Sequence, residues 1–168
     1  HRPAPPRQTP PGLWAAVGAS RGSNAAQPNA GAVYLYRKDS GQWTFQQKLN
    51  APVTSLDSQR FGTALSLDYD DTVDAYTLVV GAPRQIDDGG PALGGAAYVY
   101  QLGPFPSFTL IDVDCGAPDT PCGGVLFPPT DQTIQPGDDF GLSVSVRGDR
   151  LMIGAPYMDE GMTDTFPG

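Results

Sequence analysis

The sequence predicts an all-β fold built from repeated antiparallel units, and three observations carry that expectation. Apolar runs end three times in one stop phrase: "LWAAVGAS" (Leu13–Ser20), "TLVVGAP" (Thr77–Pro83) and "RLMIGAP" (Arg150–Pro156). A second phrase follows two of them, "GAVYLY" (Gly31–Tyr36) thirteen residues after Gly18 and "GAAYVY" (Gly95–Tyr100) fourteen after Gly81. Finally, 21 glycines and 18 prolines in 168 residues exceed ordinary usage. That composition suits short strands joined by turns and argues against helical bundles.

Each element has its own physical reading. Residues 1–12, "HRPAPPRQTPPG", hold five prolines and no apolar period, and read as an extended arm or linker. Residues 13–56 form a first, partial unit: the strand ending at Gly18, then GAVYLY, then "QWTFQQKL" as its closing strand. Residues 57–136 form a second unit with a Cys-containing loop inserted. It opens on "RFGTALSL" (Arg60–Leu67), which alternates at period two as a half-buried strand does. Its "LVVG" is a continuous apolar run, expected of a strand covered on both faces. Gly-Ala-Pro then ends the ladder, because proline has no N–H to donate. In GAAYVY the small residues let one face pack closely, with room for the tyrosine phenols at a wet rim, and "FTLIDV" is the expected final strand. Residues 137–168 form a third, partial unit: "DFGLSVSV" (Asp139–Val146), a Gly-Asp hairpin turn in "VRGDRL", and "LMIG". The GAP glycines Gly18, Gly81 and Gly154 are 63 and 73 residues apart. Four antiparallel strands in such a unit describe a propeller blade.

The order Phe-Gly, then LVVGAP, then GAxYvY resembles the FG-GAP repeat family. The resemblance rests on Phe61, Gly62, Gly81, Ala82, Pro83, Gly95 and Tyr98, with partial copies at Phe140, Gly141, Gly154, Ala155 and Pro156. It covers Leu13 to Pro156. It implies a β-propeller-like architecture of antiparallel four-stranded blades, about 2.5 units of it, fewer than a closed propeller needs. Such repeats build the integrin α-subunit propeller and many secreted microbial and algal proteins. The expectation that follows is an extracellular or cell-surface module that is not an enzyme. The first unit lacks an FG strand and the third stops after its GAP strand. The expected partners are therefore copies of the same chain, forming a homo-oligomer or filament by strand addition, or the rest of a longer FG-GAP chain.

The chemistry of single residues adds little beyond this. Many FG-GAP blades hold calcium between the FG and GAP strands, where this chain reads "LDYDDTVDAY". Asp68, Asp70 and Asp74 supply the alternating carboxylates that a hard cation prefers. The loop lacks the glycine that wraps such a site, and a solvated acidic turn is the commoner outcome. No cofactor is required by this reading; calcium is the one candidate. Cys115 and Cys122 flank a short turn-rich loop and are expected to form a disulfide, since one histidine is too few for a zinc site. The single histidine also excludes a Ser/His/Asp or Cys/His system unless His1 is recruited. The 18 acidic residues cluster mainly in turn-like stretches rather than announcing a hydrolytic pair. With net charge −8 and ten scattered Lys and Arg, nucleic acid is a poor partner. No apolar run is long enough for a membrane-spanning helix. Trp14, Trp43, Tyr34, Tyr36, Tyr98 and Tyr100 are expected mainly in packing, with stacking on glycans as the other reading. Arg147-Gly148-Asp149 resembles the tripeptide that integrins bind, but hairpin geometry accounts for it.

Overall fold

The computed structural model describes residues 12–23, 29–51, 59–84, 94–102, 107–111, 124–127 and 137–157. The Pro-rich residues 1–11 and the pair Cys115 and Cys122 lie outside the described residues. Three antiparallel sheets follow one another along the chain. The first comprises β1 (Leu13–Ala19), β2 (Ala32–Asp39) and β3 (Gln42–Asn50) in that order. The second comprises β4 (Ala64–Asp70), β5 (Ala75–Ala82) and β6 (Ala96–Leu102), with β7 (Phe108–Leu110) and β8 (Val125–Leu126) sharing the far edge of β6. The third is a hairpin of β9 (Ser143–Arg147) and β10 (Arg150–Gly154). Its turn is Gly148-Asp149, with Gly148 at φ 55°, which matches the hairpin expected there.

The sheets stack around two apolar layers. Trp14, Val33, Leu35, Leu49, Phe61, Leu78, Val80, Tyr98, Tyr100 and Phe108 belong to the layer between the first and second sheets. Val79, Ala97 and Val99, with Val144, Val146, Leu151 and Ile153 against them, form the layer between the second and third. Along β5 the side chains alternate: Leu78 and Val80 enter one layer and Val79 the other. This is why its sequence is continuously apolar. Each such side chain contributes about 1.5–3 kcal/mol on full burial, so the middle sheet is held through its faces.

Two local features refine the sequence reading. Tyr98 and Tyr100 do not lie at a wet rim; they are 0% and 5% exposed, and burial pushes both phenols well above their ordinary pKa. The first sheet and Phe61 cover that face. The final strand of the second unit is also not one run. Ile111 donates its N–H to the Val99 carbonyl at 3.1 Å, and Gly124 accepts the Val99 N–H at 2.9 Å. In an unbroken antiparallel ladder one residue makes both bonds. Here the segment 112–123 is inserted within that single position. Leu110 opposite Tyr100 and Val125 opposite Tyr98 keep the register on either side.

Candidate functional site

The FG residues, together with Gly18 and Gly81 of the GAP phrases, lie at a joint between units. Phe61 forms a parallel bridge to Gly31 of the preceding unit, and Phe140 forms the same bridge to Gly95. Phe61 donates its N–H to Ala30 O at 3.0 Å; Phe140 donates to Gly94 O at 2.9 Å. Arg60 and Asp139, just before each Phe, hold φ near 56° and 54°, and Gly62 and Gly141 both hold φ 88°. This double left-handed step turns the chain from one unit into the next. Each FG glycine then donates to the GAP carbonyl of its own unit: Gly62 to Gly81 and Gly141 to Gly154, both at 3.0 Å.

Gly18 and Gly81 face the next unit. A Cβ on Gly18 would overlap the carbonyl oxygen of Gly62, and one on Gly81 that of Gly141. Only a bare backbone permits such an approach. Phe61 is fully buried, its ring edge-on to Tyr98 at 5.3 Å and to Tyr100 at 6.3 Å. Ala82 and Pro83 are fully buried, whereas Ala155 is half-buried and Pro156 exposed. The third unit thus repeats the motif with its outer face open.

Polar side chains stitch the same joints, and no motif announced them. Ser66 Oγ accepts the Val146 N–H at 3.0 Å, and Asp68 Oδ2 accepts the Gly148 N–H at 2.7 Å. At the first joint the Gln47 amide grips the backbone of Phe108, accepting its N–H at 2.7 Å and donating to its carbonyl at 3.0 Å. That grip covers the outer side of a short edge strand. Tyr76 donates its hydroxyl to Gly12 O at 2.7 Å.

The acidic turn does not fit a calcium cage. Asp68 and Asp70 share one face of β4, and Asp68 is engaged by Gly148. Asp70 Oδ1 accepts the Thr72 N–H at 2.8 Å and hydroxyl at 2.6 Å, and these bonds hold its carboxyl below its ordinary pKa. Asp74 Oδ1 accepts the Tyr69 hydroxyl at 2.6 Å, on the opposite side of the strand. Among the described residues no three acidic, His or Cys side chains gather as a ligand set. Asp74 itself takes the left-handed conformation, φ 53°, that glycine supplies in a wrapped loop. Donation to the Asp74 carboxylate pushes the Tyr69 phenol up to about 12.

The remaining large surface feature is the outer face of the first sheet. Register places Val17 beside Tyr34, Ala15 beside Tyr36 and Leu13 beside Lys38. A bulge at Gln46 lets Lys48, Phe45 and Trp43 share that face while Gln47 turns inward. Phe45 is 55% and Trp43 49% exposed. Phe45 lies 5.9 Å from Tyr36 and 6.3 Å from Tyr34, and Lys38 and Lys48 sit over Trp43 and Tyr34. Tyr34 and Tyr36 occupy the positions that Tyr98 and Tyr100 hold in the second unit. Of the aromatic residues weighed for glycan stacking, only Trp43 is largely exposed; Trp14, Tyr98 and Tyr100 are packed.

A family model described as FG-GAP repeat matches residues 43–100 and 131–165, more than half of the chain. Compared with curated proteins, the chain has no match.

Proposed function

Because this chain belongs to the FG-GAP repeat family, we propose that it is an extracellular, non-catalytic structural or adhesive module whose copies associate by completing one another's open β-units. FG-GAP repeats build β-propeller-type modules, are generally non-catalytic and usually occur in extracellular or surface proteins. Among the described residues, no helix is long and apolar enough to cross a membrane.

One observation carries the reading. The face bearing Tyr98 and Tyr100 is closed by a neighbouring unit, while the equivalent face bearing Tyr34 and Tyr36 carries exposed Phe45 and Trp43. Among the described residues no strand pairs with the outer edge of β1 or of β10. Open edges and apolar faces of this kind are templates for further β-units. Contacts that repeat head to tail without closing build filaments. Negative-stain electron microscopy of the full chain tests this. Extended or large particles are expected; a field free of assemblies at micromolar concentration contradicts it.

The exposed Trp43 and Phe45 favour a second reading, a face that stacks on carbohydrate. Glycan binding that Trp43→Ala abolishes, by a chain that does not assemble, would select it.

A further inference from the structure

Resting on the extracellular, adhesive part of that reading and not on self-association, we propose that the tip of the β9–β10 hairpin, Arg147-Gly148-Asp149, is a docking loop for a receptor. The receptor site pairs a bound divalent cation, which takes the Asp149 carboxylate, with an acidic pocket, which takes the Arg147 guanidinium.

The backbone of the tip is fixed before any partner arrives. Arg147 opposite Arg150 is the last pair of the hairpin, so Gly148 and Asp149 form a two-residue turn. Gly148 takes its first central position at φ 55°, where a side chain is disfavoured. Its N–H is held by Asp68 Oδ2 of the preceding unit at 2.7 Å. A loop tied in this way loses little conformational freedom on docking.

The side chains on either side of Gly148 serve nothing within the fold. Hairpin geometry accounts for Gly148 and tolerates Asp149, but it asks for neither a guanidinium nor a carboxylate. Asp149 is 96% exposed, and its contact with Arg150, itself 91% exposed, is 4.0 Å long and too loose to hold either group. Asp149 belongs to a turn and not to a strand edge, so strand pairing does not cover it. Arg147 is exposed, and among the described residues no carboxylate lies within ion-pair distance of it. Asp70, whose carboxylate lies beside Gly148, is occupied by Thr72. Arg147 also stands seven positions after Phe140, as Asp68 stands seven after Phe61. Asp68 accepts an N–H across its joint, whereas a guanidinium has no acceptor to offer there. A carboxylate oxygen is a preferred ligand of a hard divalent cation, and a guanidinium pairs bidentately with carboxylates. Two such groups separated by one clamped glycine fit a site that offers both.

The test uses the full chain and, as probe, the soluble ectodomain of an integrin that binds the Arg-Gly-Asp tripeptide, immobilised in buffer containing manganese. The wild-type chain is expected to bind, and to be displaced by a short linear Arg-Gly-Asp peptide and by EDTA. Asp149→Glu moves the carboxylate one methylene outward, and Arg147→Ala removes the guanidinium. Each is expected to weaken binding at least about tenfold. Both positions are exposed, so the thermal melts of these variants are expected to match wild type. Asp68→Ala, which frees Gly148, is expected to weaken binding by a smaller factor. No binding of the wild type, or binding that survives Asp149→Glu or EDTA, overturns the docking loop. A monomeric chain that binds keeps the loop and overturns self-association. An assembling chain that does not bind overturns the loop alone.

Discussion

The carboxylate of Asp68 accepts a hydrogen bond of 2.7 Å from the backbone N–H of Gly148, a residue in the next unit and eighty positions along the chain. A β4 residue of one unit thus anchors the hairpin of its neighbour, and the acidic stretch serves the joint. Asp68→Ala removes the acceptor and leaves a part-buried N–H without it, at a cost of about 1–2 kcal/mol. Asp68→Asn keeps an acceptor oxygen and is expected to cost less. Chemical denaturation of both variants checks the order; equal stability of wild type and Asp68→Ala contradicts it.

The three GAP glycines are expected to differ in tolerance. A Cβ at Gly18 or Gly81 strikes a backbone carbonyl of the next unit, which cannot move without opening the joint. Gly18→Ala and Gly81→Ala are each expected to cost about 2 kcal/mol or more. At Gly154 the nearest atom is the hydroxyl of Ser143, which can rotate away. Gly154→Ala is expected to stay within about 1 kcal/mol. Thermal melts of the three variants measure the difference.

Removing residues 112–124 is expected to leave the second sheet intact. Ile111 would then supply both bonds to Val99, and Leu110, Ile111, Val125 and Leu126 would run as one strand opposite β6. A shorter connection costs less closure entropy, so stability within about 1 kcal/mol of wild type is expected. The variant also lacks Cys115 and Cys122. A cooperative melt without them places the proposed disulfide outside the requirements of the fold; loss of cooperative unfolding contradicts the split-strand reading.

Stability is expected to fall in alkali. Hydrogen bonding to Asp74 pushes the Tyr69 phenol from 10.0 up to about 12, and burial pushes Tyr98 and Tyr100 up as well. A folded pKa above the unfolded one means that the native chain holds protons the unfolded chain has lost. The contribution of Tyr69 is complete below pH 10 and disappears as pH rises through about 12. Denaturation midpoints across that range, with Tyr69→Phe beside wild type, test the sign. The variant is expected to lose less stability over the range.

The joints were legible in the sequence because close backbone approach admits one residue type, and glycine spacing records it. Phe61 and Gly81 align with Phe140 and Gly154 in the sequence itself. The polar stitches were not legible. Ser66, Asp68 and Gln47 act on backbone groups, and a backbone partner leaves no trace in sequence. For the same reason the alternating aspartates suggested a cation, whereas each has a hydrogen-bonding partner of its own. A tyrosine pattern does not say which face the neighbouring unit covers, so the closing of Tyr98 by Phe61 is visible only in the structure. The split of β7 from β8 was hidden because two residues thirteen positions apart, Ile111 and Gly124, together fill one ladder position.

Light scattering of the purified full chain across a concentration series tests self-association most directly. A mass several times 17.7 kDa, falling in the Tyr34→Ala, Tyr36→Ala double variant, is the expected result. A monodisperse 17.7 kDa species at every concentration would contradict it.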